Sequence, residues 1–132
     1  MASPAHTVVL VEDDRVVAHM YMIGLQARGF RIVLCDSGDT LFGRLASLDA
    51  DVIVLDWLLP GVDGAQVFAA LRRDDRVRDV PVLVLSSLSH PDAERTAALK
   101  SGVVAWLEKA HTTPRMLADV ISDLLAAGAA SA

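Results

Sequence analysis

Three acids in a row, Glu12, Asp13 and Asp14, close one apolar stretch, and Asp56 closes another. Ser86 ends a third, and Glu108-Lys109 follows a fourth. Carboxylates gathered at one place repel one another, so at neutral pH they bind a cation or some of them take up a proton. A hard divalent ion with oxygen ligands is the economical solution. Magnesium accepts one or two carboxylates, keeps several waters and binds phosphate oxygens, which suits phosphoryl transfer better than a structural role. In that setting the Lys109 ammonium neutralises phosphoryl charge and the Ser86 hydroxyl bonds a phosphoryl oxygen.

These groups meet only if the chain between them folds accordingly. Five apolar stretches recur, at residues 7–12, 31–35, 51–56, 81–86 and 103–107, and their Val, Ile and Leu content suits strands covered on both faces. Amphipathic segments separate them: Leu41, Leu45 and Leu48 after a capping Ser37, and Val67, Phe68 and Leu71 after Asp63. The last begins with Thr113-Pro114 and carries Leu117, Val120, Ile121 and Leu124 on one face. Five alternations of strand and helix predict a doubly wound parallel α/β sheet, in which ligands bind outside the carboxyl ends of the strands. That rule sends Glu12, Asp13, Asp14, Asp56, Ser86, Glu108 and Lys109 to one rim. The segment 92–101 carries mostly small Ala93, Ala97 and Ala98, so its packing should be weak.

At 132 residues the chain suits one domain that buries roughly two-thirds of the surface of its unfolded form. We assign residues 7–125 to it, with 1–6 a flexible N-terminus and 126–132 a flexible tail. Cys35 is the single cysteine and is read as an inert buried thiol; His6, His19, His90 and His111 share no ligand spacing. No apolar run approaches the roughly 18 residues of a membrane span, and no signal peptide is visible, so a cytoplasmic setting is expected. A net charge of -5 works against direct nucleic acid binding. The mixed run 72–79 reads as a solvated loop.

Val11-Glu12-Asp13-Asp14, Asp56-Trp57-Leu58-Leu59-Pro60-Gly61-Val62-Asp63-Gly64, Ser86-Ser87 and Lys109 stand at the spacings of response-regulator receiver domains. The chain resembles that family almost throughout. The resemblance implies the flavodoxin-like (βα)5 fold, with Asp56 becoming an acyl phosphate beside Mg2+. The ion would be held by Asp13, Asp56, the backbone carbonyl of Leu58, and Glu12 mainly through metal-bound water. Ser86 and Lys109 would bind the phosphoryl group, and Trp106 would turn inward as Ser86 moves. Ser87 and Asp14 are further candidates, although Asp14 also suits the first turn of the following helix, where negative charge meets the dipole.

The phosphodonor would be a sensor histidine kinase or phosphotransfer protein. The output would be a surface of the fourth helix, fifth strand and fifth helix that controls a partner protein or pairs two copies. Leu58 and Leu88 would flank the path of an attacking water and slow dephosphorylation. The chain departs from the family at Ala110, where proline after a cis bond is frequent; a cis bond before another residue costs about 2.5 to 4 kcal/mol, so a trans bond is expected. A phosphorylation-independent scaffold is the alternative. An aspartyl-phosphate phosphatase would need an acid where Leu58 stands, and a flavodoxin-like cofactor binder a phosphate loop after the first strand.

Overall fold

The structure is a computed structural model that describes residues 5–59, 61, 63–87 and 92–131, apart from the side chains of 129–131. Five parallel strands form one sheet in the order β2-β1-β3-β4-β5. They are β1 (Thr7–Val11), β2 (Arg31–Cys35), β3 (Val52–Leu55), β4 (Val82–Ser86) and β5 (Ala105–Glu108). The helices between and after them are α1 (Arg15–Ala27), α2 (Gly38–Arg44), α3 (Gly64–Arg72), α4 (Asp92–Lys100) and α5 (Pro114–Ser131).

The period-two alternation of the strands divides their side chains between two cores. Val8, Leu10, Val52, Val54, Leu83 and Leu85 pack with Tyr21 and Leu25 of α1 and Leu117, Ala118 and Ile121 of α5. Val9, Val11, Ile53, Leu55, Val82 and Val84 face the other way, toward Leu41 of α2, Val67, Phe68 and Leu71 of α3 and Ala98 of α4. Burial on both faces is why the central strands β1, β3 and β4 read as continuous apolar runs, while the edge strands β2 and β5 are largely half-buried.

Short polar side chains start the helices where the sequence places them. Ser37 Oγ accepts from the Thr40 amide at 3.1 Å, and Thr113 Oγ1 from that of Met116 at 3.1 Å. Asp63 and Gln66 form a reciprocal capping box at α3. Two helices depart from expectation. α2 ends at Arg44 and the chain continues as a 3-10 turn over Leu45–Ser47, so the expected face through Leu48 is only partly α-helical. At the other end α5 runs through Ser131, taking in most of the stretch expected to be a flexible tail. Alanine is the strongest helix former, and 126–131 is mostly alanine.

Candidate functional site

The chain leaves β1 on one side of the sheet, toward β2, and returns to place β3 on the other, so β1 and β3 bracket a topological switch point. Their carboxyl ends are level, with Val11 beside Leu55, and the Asp56 amide donates to the Val11 carbonyl at 3.1 Å. Glu12 and Asp56, each one residue past a strand end, are thereby carried to the same place. Both are buried, Glu12 5% exposed and Asp56 3%, while Asp13 is exposed at the rim.

Glu12, Asp13 and Asp56 each present a carboxylate oxygen within 4.8 Å of the others. β5 brings the counter-charge, since Glu108 lies level with Ser86 and Lys109 follows it. The Lys109 ammonium donates to Glu12 Oε1 and Oε2 at 2.8 and 2.7 Å and to Asp56 Oδ2 at 3.0 Å. Asp56 Oδ1 accepts from the Leu58 amide at 3.0 Å. Both oxygens of Asp56 are therefore held. Ser86 is fully buried at the end of β4 and Ser87 is exposed after it.

One ammonium does not fully offset this many acids. Burial, reinforced by the Asp56 side chain and opposed by Lys109, raises the Glu12 carboxyl to about 7. Burial alone would lower Lys109, but its hydrogen bonds to Glu12 and Asp56 outweigh that and raise it. A site with hard oxygen donors, a surplus of negative charge and a carboxyl that retains its proton toward neutrality is one that a small divalent cation would stabilise. Among the described residues, no other group of His, Cys, Asp and Glu side chains could hold a metal ion.

The remaining candidates fall as follows. Asp14 is the N-cap of α1, its Oδ1 accepting from the Val16 and Val17 amides at 2.9 and 3.1 Å, and it stands outside the carboxylate group. Trp106, expected to turn inward during activation, is already buried, with its ring centroid 5.1 Å from that of Trp57 and the planes at 60°. A tilted aromatic pair of this kind is favourable in its own right, which accounts for the inward position. No cis peptide occurs among the described residues, so the Lys109–Ala110 bond is trans, as expected. Leu58 is 42% exposed beside Asp56, whereas Leu88 and His90 lie outside the described residues.

Two contacts had no counterpart in the sequence reading. Trp57 Nε1 donates to Glu94 Oε1 at 2.6 Å, tying the residue after Asp56 to α4. Trp57 is itself fixed from below: Gly64 donates to its carbonyl at 2.9 Å, and a Cβ on Gly64 would fall 2.6 Å from Trp57 Cα. The other is the bond from Tyr21 Oη to the Thr112 carbonyl at 2.6 Å, between α1 and the segment after Lys109. The only available signals were a tryptophan next to Asp56 and a lone tyrosine on the apolar face of α1.

Comparison with known proteins gives one consistent answer. The family model described as the response regulator receiver domain matches residues 8–121. The chain is 36% identical over 119 residues to the transcriptional regulatory protein QseB of Haemophilus influenzae, covering 90% of this chain and 51% of that protein. To the phosphate regulon transcriptional regulatory protein PhoB of Rhizobium meliloti it is 29% identical, over 86% of this chain and 49% of the relative. The chain thus spans about half the length of the curated relatives it matches. In structure it resembles a CheY-like receiver domain protein from Methanospirillum hungatei, with a TM-score of 0.87 over 98% of this chain and 100% of that one. At 14% identity that likeness establishes the fold alone.

Proposed function

The chain belongs to the response regulator receiver family, and from that premise we propose that Asp56 accepts a phosphoryl group from the phosphohistidine of a sensor kinase or phosphotransfer protein. The observation that carries the proposal is the buried Asp56 carboxylate, one oxygen held by the Leu58 amide and the other by Lys109, beside Glu12 and Asp13. An Asp56 oxygen attacks phosphorus; the new O–P bond forms as the N–P bond breaks, and the departing imidazole keeps the electron pair and takes up a proton. Lys109 would transfer its donors from Asp56 to the arriving phosphoryl oxygens, and the Ser86 hydroxyl would bond another. Glu12, Asp13, Asp56 and the Leu58 carbonyl would hold Mg2+, which when bound supplies positive charge against the phosphoryl oxygens. The chain catalyses nothing beyond its own phosphorylation and dephosphorylation.

The output is the surface of α4, β5 and α5, acting on a partner protein or a second copy. α4 buries only Ala98, while Leu99 and Val104 are exposed, so little packing opposes a shift there. Trp106 and Ser86 remain the switch pair in this reading, with Trp57 as a third member. The net charge of -5 and the free thiol of Cys35 suit a cytoplasmic protein that does not itself grip nucleic acid. No described helix is long and apolar enough to cross a membrane.

Intact mass measurement after incubation with acetyl phosphate tests the acceptor. A phosphoryl adduct is expected on the wild type with Mg2+ and not on Asp56→Asn; equal labelling of the variant would overturn the proposal. Once formed, the adduct should persist for many minutes, because apolar Leu58 and Leu88 can neither bond nor deprotonate a water behind phosphorus. Leu58→Asn with Leu88→Glu should shorten its life, and decay of the wild type within seconds would rule those positions out as the control.

A further inference from the structure

Lys109 reaches two acids from a turn with little of its own to hold it. It opens a 3-10 segment, Lys109–His111, that has no side-chain cap. The closing bond, from the Thr112 amide to the Lys109 carbonyl, is long at 3.3 Å, and Ala110 and His111 are exposed. Against this stands the phenol of Tyr21, which is 1% exposed within the α1–α5 core and spends its proton on the Thr112 carbonyl at 2.6 Å. One turn further along α1, Gly24 lies so close to Pro114 that a Cβ there would collide with it, which fixes the far end of the same segment. The turn carrying Lys109 is thus anchored from α1, across 91 residues of sequence.

We infer that Tyr21 is a positioning residue: by holding the Thr112 carbonyl it keeps the turn in place and so sets the reach of Lys109 to Glu12 and Asp56. The phenol gives its proton to the Thr112 carbonyl, and it acts through Lys109. Phenylalanine would keep the packing of the ring and remove only the bond, leaving a buried carbonyl to find water by opening the turn. The role in catalysis rests on the phosphoacceptor reading; the effect on Lys109 does not.

Lys100 and Lys109 are the only lysines, so the exposed Lys100 serves as an internal reference. Brief acetylation of the whole metal-free protein with an amine-selective ester, followed by peptide mapping, gives the ratio of Lys109 to Lys100 modification. Tyr21→Phe should raise that ratio about tenfold, the effect of freeing a turn once held by one buried hydrogen bond. Ile121→Val, a mild change in the same core, should lower thermal stability and leave the ratio unchanged. In a second arm, Tyr21→Phe should slow labelling by acetyl phosphate in the wild-type background and not slow it further in Lys109→Ala. An unchanged modification ratio, or equal slowing in both backgrounds, would overturn the inference. Absence of any adduct on the wild type, with the ratio still raised, would sink the phosphoacceptor reading and leave the anchoring of Lys109 standing.

Discussion

The two flanks of the sheet are built differently. On one side α1 and α5 bury Tyr21, Leu25, Leu117, Ala118 and Ile121 against the strands, meet at Gly24 and Pro114, and are linked at the surface by Arg28 and Asp119 at 2.7 Å. On the other, α2 and α3 pack Leu41, Val67, Phe68 and Leu71 just as firmly, and the weak element is α4, which contributes Ala98 to the core and is tethered by the Trp57–Glu94 bond. Lys109 is held from the first flank, while the proposed output lies partly on the second. A site that must keep its groups within a fraction of an ångström needs rigid support, whereas an element that changes position needs two arrangements of similar energy. The contrast between the flanks meets both needs within one small domain.

If that contrast is real, the largest effect should come from Leu117→Ala, which opens a cavity in the firm flank and should cost about 2 to 5 kcal/mol in urea unfolding. Ala98→Gly in α4 should cost only about 1 kcal/mol. Equal losses would erase the distinction. An intermediate effect concerns pH. Because Glu12 is raised from 4.5 to about 7 in the folded, metal-free protein, its stabilising contribution is full below about pH 4.5 and is lost as pH rises through about 7. Thermal melting of the metal-free protein should show that decline, Glu12→Gln should flatten it, and Mg2+ should bind more tightly as pH rises over the same range. A decline that persists in Glu12→Gln would assign it to another group.

The smallest effect belongs to the tether. Glu94→Ala removes the acceptor of the Trp57 indole while leaving the Trp57–Trp106 pair in place, and should cost about 0.5 kcal/mol, the low end for one hydrogen bond, with faster amide hydrogen exchange in α4 and unchanged exchange in α1 and α5. Equal acceleration in both flanks would show that α4 is not separately hinged.

How much of this the sequence discloses depends on range. All five strands were legible: β1, β3 and β4 because burial on both faces leaves an unbroken apolar run, and the half-buried edge strands β2 and β5 because their apolar residues still cluster; the observed ends lie within two residues of expectation. Glu12, Asp13, Asp56 and Lys109 could be grouped because each stands within two residues of a strand end, and the sheet brings those ends level. Asp14 could have been a ligand or a cap by residue type, and the amides of Val16 and Val17 decide for the cap. The Trp57–Glu94 and Tyr21–Thr112 bonds join residues 37 and 91 positions apart, where no periodicity reaches. Trp106 could be read as a core residue or as a switch; the structure buries it against Trp57, a contact 49 positions apart that no periodicity predicts. The tail was misjudged by reading alanine, glycine and serine as linker composition, when alanine alone favours continuing the helix.

The Trp57–Trp106 pair also has an optical consequence. Two indoles with centroids 5.1 Å apart and planes at 60° form a chiral arrangement of strong transition dipoles. Their excitations should mix and split, giving a paired positive and negative band in circular dichroism that neither ring produces alone. The only two tryptophans in the chain are the members of this pair, so no third indole obscures the band. One ring follows Asp56, the proposed acceptor, and the other belongs to β5, so a change in the sign or size of that band would report rotation between them without any label.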